Sequence, residues 1–129
     1  VIVVDSSVWI GHLRGTDSEP VRRLRAIAHP GDIVVGDLVL LEILQGARDD
    51  AHAGRIESNL REFRIEPMLD QDIAVKAAAH YRRLRATGIT VRRTIDMIIA
   101  TFCLERGHAL LHDERDFELM APALGLRLA

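Results

Sequence analysis

The sequence holds one cysteine, Cys103, and one lysine, Lys76. A lone cysteine cannot close an internal disulfide, so a disulfide-stapled secreted scaffold is excluded and a reducing cytoplasm is the expected home. No apolar run approaches the roughly 18 residues that a membrane-spanning helix needs. The opening residues Val1–Asp5 put no basic region ahead of an apolar one, so no signal peptide is expected. Repeats, low-complexity tracts and linker-like stretches are also missing. The six histidines are scattered without the spacing of a zinc site. The formal net charge of -2 gives no overall basic footprint for nucleic acid.

What is present fits one domain, residues 1–129, with 48% apolar residues to build a core. Nearly all the positive charge is arginine, which suits bidentate contact with phosphate or carboxylate and also follows from compositional bias in a GC-rich genome. Short β-branched runs alternate with helical patterns. Val1–Val4, Ile33–Val35 and Ala109–Leu111 read as buried strands, Arg64–Ile65 as a weak one and Leu126–Leu128 as an edge strand. Helices are expected from Ser6 or Ser7 to Leu13, Ser18 to Ala28, Asp37 to Gln45, His52 to Glu62, Asp70 to Arg85, Thr94 to Arg106 and around Asp116–Ala121. Strands alternating with helices predict an α/β fold, a three-layer α/β/α sandwich on a short, mostly parallel sheet. Ligand sites in such folds lie outside the carboxyl ends of the strands.

Several acidic residues stand out against that frame. Asp5 follows the first strand, where it is either a helix cap or a site residue, the serines beside it being able to cap unaided. Glu42 sits in "LVLLEILQG", apolar nearly all round, and a buried carboxylate is costly unless paired or metal-bound. Asp96 flanks the apolar stripe Ile95, Ile98, Ile99, Phe102 and Cys103, and an acid in a first turn also complements the helix dipole. Asp113 and Asp116 follow the strand Ala109–Leu111, where turns often carry Asp. In a parallel sheet all of these can converge at one end. Crowded carboxylates raise one another's pKa values, and a divalent cation removes the conflict. Oxygen-only ligands suit Mg²⁺ or Mn²⁺, and such a site favours attack by water on a phosphodiester.

Four stretches, "VVDSSVWI", "LLEILQG", "TIDMIIA" and "LLHDERDF", together resemble the PIN-domain family from Ile2 to Ala121. Within it they are most similar to the toxin ribonucleases of VapBC toxin–antitoxin pairs. The resemblance implies a metal-dependent endoribonuclease acting on RNA such as tRNA or rRNA. Asp5 and Asp96 would be direct metal ligands and Glu42 would complete the site. One or both of Asp113 and Asp116 would join them, and Ser7 would brace the site by hydrogen bonds. A VapB-type antitoxin covering the cleft and a homodimer are further implications. Arg14, Arg92, Arg93 and Arg115 lie near the motifs as candidates for an RNA-facing rim or as solvated surface charges, while Trp9 is expected in the core. A phosphoacceptor receiver domain would need a lysine late in the sheet, and Lys76 lies in a helix. A haloacid-dehalogenase-type phosphatase would need a second Asp two residues after Asp5, where Ser7 stands. The remaining alternative is a non-catalytic binding domain whose acids are only caps.

Overall fold

A computed structural model describes every residue from Val1 to Ala129. Four strands, β1 (Ile2–Val4), β2 (Ile33–Gly36), β3 (Arg64–Glu66) and β4 (Ala109–Leu111), form one sheet in the order β3-β2-β1-β4. Every pairing is parallel: Ile2 lies beside both Ile33 and Ala109, and Val34 beside Arg64. Helices cover both faces. On one side are α1 (Ser6–Leu13), α2 (Glu19–Ala26), α3 (Asp37–Gln45) and α4 (Asp50–Leu60), with α3 packing on α1 and α4. On the other, α5 (Gln71–Ala86), α6 (Thr94–Arg106) and α7 (Arg115–Leu124) pack against one another. Val3, Val4, Val34 and Val35 are wholly buried between these layers, which explains why the strands read as unbroken β-branched runs. Trp9 is in this core, its ring 5.3 Å from that of Phe63.

Strand order sets the position of the site. The chain steps from β1 outward to β2 and β3, then returns to lay β4 on the opposite side of β1. The connection therefore reverses at β1, and a crevice opens beyond the carboxyl ends of β1 and β4. The Asp5 amide donates to the Leu111 carbonyl at 2.9 Å, carrying the β1–β4 ladder up to its rim.

Some sequence expectations need correction. Leu126–Leu128 is not a strand; only Leu128 bridges to Leu110, because α7 runs on to Leu124 and leaves little chain. The helix α4 begins at Asp50, since Asp49 is its cap, accepting from the His52 amide at 2.7 Å. In α3 only Val39 and Ile43 are fully buried, and Leu41 is exposed. Conversely, α6 is not a half-buried stripe: every residue from Asp96 to Cys103 is buried, because the helix lies enclosed within its layer. Burial pushes the Cys103 thiol up to about 12, which leaves it protonated and inert.

The turn from β2 into α3 depends on a missing side chain. A Cβ on Gly36 would fall 2.0 Å from Met68 Sδ, and Met68 is wholly buried. Asp37 fastens the same junction by accepting from the Met68 amide at 3.0 Å. This fixes where α3 starts, and so where Glu42 stands.

Candidate active site

Asp5 is both the cap and the first residue of the site. Its Oδ2 accepts from the Ser7 amide at 3.2 Å and from Ser7 Oγ at 2.6 Å. Capping of α1 is thus done by the carboxylate and not by a serine. Its Oδ1 is buried and has no partner. An unpaired buried carboxylate oxygen is unfavourable and rare, and capping does not account for it.

Two further carboxylates come to the same rim from different elements. Glu42 is carried in by α3 and accepts from Ser6 Oγ at 3.1 Å. Asp96, in the first turn of α6, has only 2% of its side chain exposed. Arg93 lies between them. Its Nη2 and Nε form a fork on Asp96 at 2.8 and 3.3 Å, and its Nη1 reaches Glu42 Oε2 at 3.2 Å. Burial raises the pKa of Asp5, against the pull of the Ser7 hydrogen bonds, and the Asp96 charge raises it further. Burial also raises that of Glu42, which Arg93 partly offsets. Both shifts have the sign of carboxylates crowded out of water. As they stand, no three acidic, histidine or cysteine groups are drawn tightly enough to chelate an ion.

The turn after β4 brings a further acid, Glu114, to half-burial near the cluster: burial raises its pKa, and the charges of Asp5 and Asp96 add to the shift. The Asp113 carboxylate is exposed, and its amide donates to Ser7 Oγ at 3.1 Å. Asp116 is buried but taken up by Arg92, accepting from its amide at 3.2 Å and from its Nε at 3.3 Å.

The model of the PIN domain matches residues 2–121. This chain belongs to the PIN-domain family. Among its relatives are VapC ribonuclease Mb1587 of Mycobacterium bovis and ribonuclease VapC11 of Mycobacterium tuberculosis. Each is 32% identical, the alignment spanning 100% of this chain and 98% of the relative. Solved structures share the fold. VapBC2 from Rickettsia felis, bound to a DNA fragment from its promoter, has a TM-score of 0.78 at 14% identity, covering 99% of this chain and 96% of that one. The Mycobacterium tuberculosis toxin VapC20, described as cleaving the sarcin-ricin loop, has a TM-score of 0.68 at 18% identity, covering 92% and 93%.

In this PIN domain the arginines divide by place. Arg93 is inside the cluster, and Arg92 and the exposed Arg115 flank the turn beside it. Arg14 follows the last residue of α1, whose first turn carries the site, so it stands at the far end of that helix. Sequence reasoning missed Glu114. In the structure Glu114 holds the N-cap position of α7 without capping it, where Asp, Ser or Asn would cap. The Ser6–Glu42 contact, 36 residues apart in the chain, had no sequence signal.

Proposed function

We propose that this PIN domain is the toxin of a type II toxin–antitoxin pair, a cytoplasmic endoribonuclease that hydrolyses structured RNA such as tRNA or rRNA with Mg²⁺ or Mn²⁺. One observation carries the reading: Asp5, Glu42 and Asp96, from three separate elements, meet at the switch point of the sheet with Asp5 Oδ1 buried and unpartnered. The donors are all oxygen, the set that suits a hard divalent cation. When bound, that cation would activate a water and stabilise the oxygen leaving phosphorus.

The remaining work belongs to the chain. Asp5 offers Oδ1 while Ser7 fixes its Oδ2. Asp96 and Glu42 would complete the ligand set, with Ser6 orienting Glu42. Asp113 and Asp116 would contribute from the turn after β4, Asp116 after releasing Arg92, and Glu114 adds negative charge between them. Arg92 and Arg115 provide local positive charge for an RNA backbone, which matters more than the overall charge of -2. The VapBC complexes among the structural neighbours support a VapB-type antitoxin as partner, and a homodimer within such a complex belongs to the same proposal.

The test is cleavage of tRNA and rRNA by the purified chain, with and without Mg²⁺. Asp5→Asn and Asp96→Asn should each lower cleavage by at least about 100-fold while keeping the native circular dichroism spectrum. Wild-type cleavage by Asp5→Asn would overturn the reading and favour a binding domain whose acids are caps.

A further inference from the structure

The proposed metal reading leaves one charge unexplained. Arg93 occupies the N-cap position of α6, yet its side chain makes no capping bond. All its side-chain hydrogen bonds and ion pairs are with the cluster: the fork on Asp96 and the single contact on Glu42. These two carboxylates are 2% and 12% exposed, whereas Arg93 is 47% exposed. Its outer part therefore faces solvent, which gives the side chain a way out. The neighbouring Arg92 does not share the task, being engaged with Asp116. Asp5, although its charge is felt by Arg93, keeps Oδ1 unpartnered.

We infer that Arg93 is a built-in counter-cation that holds Asp96 and Glu42 when no divalent ion is bound and must swing aside for one to enter. A guanidinium and a hard cation compete for the same carboxylate oxygens, and the fork uses both oxygens of Asp96. Arg93 thus keeps the metal-free cluster from repelling itself apart, and it weakens the apparent affinity for metal by the fraction of time it is in place. This inference rests on the metal reading above, and its test separates the two.

The measurement is Mn²⁺ binding by titration calorimetry and electron paramagnetic resonance, without RNA. If Arg93 is engaged about nine-tenths of the time, Arg93→Gln should bind Mn²⁺ about tenfold tighter than wild type. The same variant should melt at a lower temperature when metal-free. Arg115→Gln removes the same charge from the turn beside the cluster, at an exposed residue that pairs with none of its carboxylates, and should change affinity by less than about twofold. Arg93→Lys keeps the charge but loses the fork, so its affinity should lie between those of wild type and Arg93→Gln. Equal gains from Arg115→Gln and Arg93→Gln, or no gain from Arg93→Gln while wild type binds Mn²⁺, would overturn the assignment of Arg93 and leave the metal reading intact. No Mn²⁺ binding by wild type and variants alike would overturn both. If Arg93→Gln does not fold, Arg93→Lys decides: binding equal to wild type would overturn the inference.

Discussion

At the scale of single residues, Asp5 would link stability to the proposed activity. It caps α1 through Oδ2, yet burial disfavours its charge and Oδ1 has no partner. Asn in its place keeps an oxygen for the Ser7 amide and removes the buried charge. In metal-free protein, Asp5→Asn should therefore raise Tm, and a gain of about 1 kcal/mol corresponds to roughly 2–8 °C in domains near this size. The sign with pH follows from the raised pKa. The folded wild type holds the Asp5 proton more tightly than the unfolded chain, so the deficit of the ionised form is full above the folded pKa and fades as pH falls through it. The Tm difference between Asp5→Asn and wild type should thus be largest at neutral and alkaline pH and shrink as the pH falls into the acid range. A constant difference across that range in calorimetry would show that Asp5 carries no such strain. Taking the difference also removes the opposing contribution of His12, His80 and His108, whose pKa values burial lowers.

Elements place the site through their starts and stops. The point at which α3 leaves β2 is fixed by the close approach of Met68 to Gly36. Gly36→Ala would force a fully buried methionine to move, a destabilisation of about 1–3 kcal/mol by denaturant unfolding. It should also reduce cleavage, because Glu42 rides on α3. Unchanged stability would mean that Met68 repacks freely. Element existence was legible because the signals are local: β-branched runs, Gly107 after α6, Ser18 ahead of α2. Depth of burial was less legible. The pattern of α3 suggested a helix buried all round and that of α6 a single stripe, and the structure exposes Leu41 while enclosing Asp96 through Cys103. Such depth depends on which neighbours cover a helix, and periodicity within one segment does not contain that information.

Across the whole molecule, convergence was legible because parallel α/β topology sends every loop that follows a strand to one end. Asp5 was placed there as the residue after β1, while Glu42 and Asp96, both on helices, stood out by their apolar neighbours. The layout of the turn after β4 was not legible, since three acids occur within "DERD" and nothing in the sequence distinguishes the exposed Asp113 from Asp116, which is buried against Arg92. The assembled cluster makes a further prediction. Millimolar Mg²⁺ or Mn²⁺ should raise the wild-type Tm by binding the folded state, by about 2.7 kcal/mol in stability at 100 times the dissociation constant. The rise should fall off at acidic pH, where protons compete for the same oxygens, and vanish in Asp96→Asn. An identical rise in that variant by differential scanning fluorimetry would locate the binding elsewhere. The pairing of β1 with β4 also imposes an order in time. Ser7 meets its partner amide 106 residues later in the chain, and contacts so distant form slowly. During synthesis the segment that carries Asp5 is made before β4, so the rim that holds the carboxylates closes only after β4 has emerged and paired with β1.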